Sequence, residues 1–356
     1  MSWLYAGLDV SNATTRICIL DGHGEVVYEA TVASSPAAIA RELKPYRALL
    51  ESVGQESGSL SQWLHRELSR KRLPMVCMDA RAAHGVLSLQ RAKTDVSDAR
   101  GLANALRAGW YRRAYIRSDE AQRLRLLLVH RSAIKRKALD LEHSLRMSIK
   151  PFGARIEVRG GKVVLKHAGR RQDRDLARLV QSLIRARAAL MAEAAKLTEA
   201  VKAAAKKDVV CRRLMSVPGV GPITALAYRT SLDDPSRFRS SRAVAAHFGL
   251  TPKRFQSGES DYSGGVSRLG DKMVRTALYQ AAFSMVVASK SKCALRAWAV
   301  RLREQKGLRP ACVALARKLA VILHRLWVTG RDFDATLAAP SGRTELGRRR
   351  CAPEQA

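Results

Sequence analysis

The chain has 356 residues, of which 64 are Lys or Arg and 31 are Asp or Glu, giving a formal net charge of +33. So large a charge of one sign repels itself, and a polyanion whose counterions are released on binding offsets that cost; nucleic acid is the leading partner, an anionic membrane surface the second. With 47% hydrophobic residues the chain can bury real cores, so the chain as a whole is not a disordered basic segment, and its length suits about two or three domains.

Residues 4–10 (LYAGLDV), 15–20 (TRICIL) and 25–32 (EVVYEATV) read as short β-rich runs, with Asp21-Gly22-His23-Gly24 as a hairpin turn between the last two. A weaker apolar run, 47–54, predicts a fourth strand. Leu60, Trp63, Leu64 and Leu68 then share one helical face, and a buried-looking run, Pro74 to Met78, follows. The order β-β-β-α-β-α-β-α suggests a mixed sheet flanked by helices, with the fourth strand beside the first, as in ribonuclease H-type nuclease domains. From 121 to about 150 the pattern becomes a long basic helix with Leu127, Ile134, Leu141 and Leu145 at heptad-compatible positions, broken by Pro151, Gly153, Gly160, Gly161 and Gly169. A second helix carries Leu176, Leu183, Leu190 and Leu197, with Val180, Ala194 and Val201 at the intervening positions. Arg187 takes the remaining one, which weakens a long parallel zipper and leaves an antiparallel hairpin with the 121–150 helix equally open. After Lys206-Lys207 a mostly helical unit runs to about 335. The expected organisation is 1–120, 121–207 (coiled-coil or helical linker), 208–335, and a basic tail at 336–356 that reads as disordered.

Lys or Arg interrupts every apolar run before the roughly 18–20 residues of a membrane span. Met1 to Tyr5 lacks the charged start and apolar stretch of a signal peptide, so a cytoplasmic location is expected. The six cysteines form no CxxC pair and are expected to be reduced thiols rather than a zinc or disulfide framework.

Four acidic residues, in three segments, suggest chemistry. Asp9 ends the first strand; a carboxylate there either caps the turn through Ser11 and Asn12 or holds a divalent cation. Glu56 ends the fourth strand, where it can meet Asp9 on one ion, with Glu51 as its rival within the run. Asp95 and Asp98, in Lys93-Thr94-Asp95-Val96-Ser97-Asp98-Ala99-Arg100, are spaced i, i+3 at a helix start; they suit the helix dipole as a simple capping pair, or point together at a metal. Four carboxylates so placed meet the needs of a two-metal site, with Mg2+ ions about 4 Å apart. Farther along, Ser216-Val217-Pro218-Gly219-Val220-Gly221-Pro222 leads into a helix. It is either a plain helix-helix turn or a helix-hairpin-helix whose amides bind phosphate, through Gly219 and Gly221. Ser257 is placed in a glycine-flanked loop, with Lys253, Arg254 and Arg268 nearby for phosphate contact, as Lys93 and Arg100 are beside the acidic pair. A serine hydroxyl needs activation, and His247 is ten residues away, so the residues alone favour a phosphate-contact or turn serine.

The series Asp9, Glu56, "KTDVSDAR", a long helical middle, "SVPGVGPITA", "AHFGLTPKRFQSGES" and "VSRLGDKMVRTALYQAA" resembles the DEDD-type transposases of the insertion sequence 110 family, over residues 4 to about 335. The resemblance implies a Holliday-junction-resolvase-like domain of ribonuclease H type whose Asp9, Glu56, Asp95 and Asp98 bind Mg2+ (or Mn2+), a coiled-coil middle and a C-terminal transposase domain. It further implies that Ser257 attacks DNA to form a phosphoserine link. The serine would join the acidic tetrad of another subunit, so that a homo-oligomer, dimer or tetramer, holds composite sites. The other partners it implies are donor and target DNA and a structured guide (bridge) RNA that pairs with both. The protein would be bacterial and associated with the nucleoid when bound. Arg268 stands where Lys is more usual.

Overall fold

A computed structural model of the chain describes residues 3–87, 95–167, 174–257 and 260–335. They form two compact units, one ending at Arg117 and one starting at Ser118.

The first unit runs β1 (Leu4–Val10), β2 (Thr14–Leu20), β3 (Val26–Ala33), α1 (Pro36–Leu43), β4 (Leu50–Glu56), α2 (Ser61–Arg70), β5 (Met75–Met78), α3 (Ala80–Leu87) and α4 (Asp95–Arg107). Its sheet has the order β3-β2-β1-β4-β5, with β2 antiparallel to both neighbours and β1, β4 and β5 parallel. The fourth strand lies beside the first, and α3 is an element that the sequence pattern did not suggest. The turn between β2 and β3 closes because the Asp21 carboxylate accepts the amides of His23, Gly24 and Glu25, each at 2.9 Å.

Strand alternation sorts the two faces of this sheet. Leu4, Ala6 and Leu8 of β1 join Ile17, Ile19, Val53 and the Ile39, Leu43, Leu64 and Leu68 side chains of α1 and α2 in one core. The other face takes α4, whose Ala99 and Ala103 pack with Cys18 and Leu20, and whose Leu102, Ala105 and Leu106 pack with Val76 and Met78. Gly7 makes this seat possible. A Cβ there would lie 2.1 Å from the Ala99 carbonyl oxygen and 2.6 Å from the Ala103 nitrogen.

The second unit opens with α5 (Asp119–Ser148), a hairpin of β6 (Ala154–Arg159) and β7 (Lys162–His167), and α6 (Arg174–Lys207). The hairpin lies in the stretch that the sequence showed only as a break, and it turns through Gly160 and Gly161, both at positive φ. The helices α5 and α6 are antiparallel. Arg131 donates to Thr198 at 2.7 Å, Glu142 meets Arg187 at 2.8 Å, and Leu145 packs with Val180, so rising positions on one helix meet falling positions on the other. Of the two files on α6, the one holding Val180, Arg187, Ala194 and Val201 is buried throughout, whereas Leu183, Leu190 and Leu197 keep partial exposure. Arg187 is thus the seam's buried charge; it donates to the Glu142 carboxylate and to the Gly161 carbonyl at 3.0 Å.

The unit continues with α7 (Val209–Leu214), α8 (Pro222–Leu232), α9 (Ser241–His247), β8 (Pro252–Ser257), β9 (Ser260–Val266), α10 (Lys272–Val287), α11 (Ala294–Lys306) and α12 (Leu308–Thr329). One core holds Leu128 of α5, Val201 and Ala205 of α6, and the inner faces of α7, α8, α10 and α12. The expected boundary at 207/208 is therefore the end of a helix and not a break in the core. The buried Tyr228 hydroxyl donates to the Ala320 carbonyl at 2.6 Å, and Asp271 accepts from Arg125 (2.5 Å) and Ser231 (2.9 Å) while capping α10 at Met273 and Val274. Among the described residues no helix is long and apolar enough to cross a membrane.

Candidate active site

In the first unit the carboxylates sort by face and by end. The last register pair of the parallel β1 and β4 is Leu8 with Gln55, so Asp9 and Glu56 are the next residue of each strand. Each lies two residues beyond a glycine that faces α4, Gly7 and Gly54, and alternation puts both carboxylates on that same face. The direction of α4 completes the geometry. Its Ala99 and Ala103 sit on Gly7, while Arg107, one turn beyond, donates to the Gly22 carbonyl at 3.4 Å, in the turn beyond the Tyr5–Leu20 pair at the opposite end of the strand. The helix α4 runs against β1, so its start, which carries Asp98, lies at the strand end that carries Asp9 and Glu56.

Glu51 lies at the other end of β4, about 16 Å away at 3.3 Å per residue, where it lines a cleft with Tyr5, Met75 and Arg107. Asp98 is half-buried and Arg100 exposed, and the Arg100 charge is felt at Cys18. The Cys18 thiol is pushed up to about 12 by burial and by the neighbouring Glu29, so it is inert. Lys93 lies outside the described residues, as does the side chain of Asp95. Among the described residues no three His, Cys, Asp or Glu side chains form a ready metal cage. Asp79, at the end of β5, is one more strand-end carboxylate that sequence reasoning passed over; its Oδ1 accepts the Arg81 and Ala82 amides and so caps α3.

In the second unit Ser257 is the last residue of β8, opposite Ser260 of β9, and not part of a loop. The base of this hairpin is set by two interlocked glycines. A Cβ on Gly249 would lie 2.5 Å from the Leu269 nitrogen, and one on Gly270 would lie 2.1 Å from the His247 carbonyl oxygen, so the AHFGLTP and SRLGD segments meet backbone to backbone. The Arg268 amide donates to the Gly249 carbonyl at 3.0 Å and the Ser267 amide to that of Thr251 at 2.9 Å, which extends the pairing. All six residues of β8 are exposed. Arg254 is bound across the hairpin to Asp261 at 2.6 and 2.9 Å, which holds the Asp261 carboxyl below its usual range. Lys253 and Arg268 are exposed. The His247 ring packs edge-on against Phe238 and lies 3.2 Å from Arg237.

The PGVG turn joins α7 to α8. A Cβ on Gly219 would lie 2.5 Å from the Ala281 carbonyl of α10, so this residue is a packing glycine; Gly221 has open space around it and precedes the first turn of α8.

Two family models match in chain order. One for DEDD transposases of the IS110 type covers residues 6–150, and one described as the transposase IS116/IS110/IS902 family covers residues 211–298. The chain is 27% identical over 329 residues to the transposase for insertion sequence element IS1111A of Coxiella burnetii, which covers 90% of this chain and 88% of that protein. It is 29% identical over 243 residues to a probable family 20 transposase of Pseudomonas aeruginosa, 66% of this chain and 72% of that protein. It is also 31% identical over 124 residues to a pilin gene-inverting protein of Moraxella bovis, 34% of this chain and 38% of that protein.

Proposed function

Since this chain belongs to the IS110 family of DEDD transposases and is an enzyme acting on DNA, we propose that it cuts and rejoins DNA strands through the carboxylates Asp9, Glu56, Asp95 and Asp98 and the nucleophile Ser257. The observation that supports this most is the meeting of the start of α4 with the strand end that carries Asp9 and Glu56.

The DEDD type implies a divalent cation, and the oxygen-only donor set fits one that prefers hard ligands, Mg2+ first and Mn2+ as its substitute. When bound, the cation neutralises charge on the scissile phosphate and its leaving oxygen. The chain's own groups do the rest. The exposed Ser257 Oγ forms a bond to phosphorus as the bond from phosphorus to one sugar oxygen breaks, and the proton lost from Oγ ends on that sugar hydroxyl. Attack by the hydroxyl of another strand end on the phosphoserine reverses the step and joins the two strands. One phosphodiester replaces another at each stage, so no outside energy source is needed. An exposed serine is a weak nucleophile by itself. In the assembly we propose, the carboxylates of one copy act on the serine of another in a dimer or tetramer.

The charge supports a second component of the reading. A net charge of +33 suits the joint holding of guide RNA with donor and target DNA, with base pairing reading the sequence and basic side chains holding backbones. In this reading the first unit is ribonuclease H-like and the α5–α6 pair a short coiled coil. Lys93, Arg100, Lys253, Arg254, Arg268 and the PGVG turn contact backbones.

Ser257→Ala and Asp98→Asn test the chemistry. With Mg2+ and junction DNA, the wild type should give a covalent protein–DNA adduct that denaturation does not disperse. Ser257→Ala should give neither adduct nor strand transfer, and Asp98→Asn should bind DNA without cutting it. Full strand cleavage by Ser257→Ala would establish instead a metal-dependent junction nuclease in which the serine is structural.

A further inference from the structure

The β8–β9 hairpin carries a feature that neither the serine nor the phosphate contacts account for. Phe255 and Tyr262 stand opposite each other in its register, with ring centroids 4.9 Å apart and planes only 18° from parallel. Cross-strand aromatic pairs ordinarily stabilise a sheet by packing on each other and on their neighbours; here Phe255 is 45% and Tyr262 61% exposed, so about half of the pair's surface goes unused in folding. Alternation places Phe255, Lys253 and Ser257 on one face of β8, and a Cβ on Gly264 would lie 3.3 Å from the Phe255 ring and 3.9 Å from the Lys253 Cβ, so glycine leaves that face open. The other face holds Arg254 closed upon Asp261. The aromatic face is therefore the one with an unpaired type of chemistry on it: two flat rings, an exposed ammonium at Lys253, and a hydroxyl two residues along the strand, about 7 Å from Phe255.

A flat aromatic surface beside positive charge, on a DNA-acting enzyme of net charge +33, fits a nucleobase better than a protein side chain: every base has a π-face, and its backbone brings the complementary charge. We infer that Phe255 and Tyr262 form a base-stacking platform that seats an unpaired nucleotide of the strand whose phosphate reaches Ser257. The inference rests on the reading of Ser257 as nucleophile. Bases in an intact duplex are stacked on each other and cannot lie on these rings, so the platform selects a strand already opened beside the cleavage point, and a single nucleotide spans the distance from ring to hydroxyl. Phe255 and Tyr262 are positioning residues in this scheme. They hold the base, and the base fixes the phosphate.

The test uses the full-length protein and a short single-stranded oligonucleotide carrying one 2-aminopurine, whose fluorescence falls when it stacks. The wild type and Ser257→Ala should quench it equally. The double variant Phe255→Leu with Tyr262→Val keeps apolar residues suited to a strand; it should lose the quenching and bind the oligonucleotide about tenfold or more weakly, at an unchanged salt dependence. Phe255→Trp with Tyr262→Phe should restore both. Quenching and affinity equal to wild type in the Leu/Val variant would mean that the pair only holds the hairpin, and would overturn the platform. Because quenching requires no cleavage, absence of a covalent adduct alongside this pattern would count against the serine chemistry and leave the stacking surface standing.

Discussion

Gly7→Ala tests whether the seat of α4 governs the acidic site. The added methyl would lie 2.1 Å from the Ala99 oxygen and 2.6 Å from the Ala103 nitrogen, both backbone atoms that no rotamer change can move away. Restoring an ordinary contact of about 3.5 Å takes the helix more than 1 Å outward. Overpacking of this kind costs about 1–3 kcal/mol, which lowers the unfolding temperature of the first unit by several degrees. The larger effect falls on chemistry. Asp98 rides on α4 whereas Asp9 and Glu56 stay with the strands, and a misplacement of about 1 Å between groups that share one reacting centre costs on the order of 100-fold in rate. Gly22→Ala is the control, since nothing lies within 4 Å of a Cβ at that turn position. Cation-dependent DNA cleavage, measured beside thermal unfolding, should fall about 100-fold in Gly7→Ala and stay unchanged in Gly22→Ala. A Gly7→Ala protein that melts and cuts like the wild type would refute the packing of α4 on β1 as the device that assembles the site.

The buried ion pair of the helical hairpin should respond asymmetrically and with pH. Hydrogen bonding from Arg146, opposed by burial and aided by Arg187, holds the Glu142 carboxyl below the usual glutamate range, so its contribution to stability is present at neutral pH and is lost as pH falls below about 4. Glu142→Gln leaves Arg187 without a counter-charge and should cost about 3 kcal/mol or more at pH 7. The gap from wild type should close in acid, and Arg187→Met should be close to neutral; denaturant titrations at pH 7 and pH 3 measure all three, and a Gln variant as stable as wild type at pH 7 would remove the pair from the account. Gly219→Ala meets the Ala281 carbonyl at 2.5 Å and keeps a φ of +80° that Ala disfavours, so it should lose about 1–3 kcal/mol, while Gly221→Ala, in open space, should lose under about 1 kcal/mol; equal melting temperatures would contradict the inward role of Gly219.

Most of the first unit was legible because most of its strands and helices have one buried face each, and burial is what periodicity reports. The β8–β9 hairpin escaped for the same reason: all of β8 is exposed, so it carries no apolar alternation, and Ser257 read as a loop residue. The β6–β7 hairpin was hidden among glycines and Pro151 that signalled a break without saying what the break contained.

The sequence by itself determined the polyanionic partner, the acidic positions at strand and helix ends, and the long helices of the middle, since each rests on charge or on local period. Only the tertiary structure decided three matters that depend on direction. Glu56, and not Glu51, shares an end of the sheet with Asp9, because β1 and β4 run parallel with Leu8 opposite Gln55; α4 runs against β1 and so brings its own start to that end. The helices α5 and α6 pair antiparallel, because Arg187 in the seam meets Glu142 of the same chain; a heptad pattern is the same in either direction and so cannot choose. The hairpin presents Ser257 beside two exposed rings because Gly249 and Gly270, twenty-one positions apart, leave room for two backbones to touch.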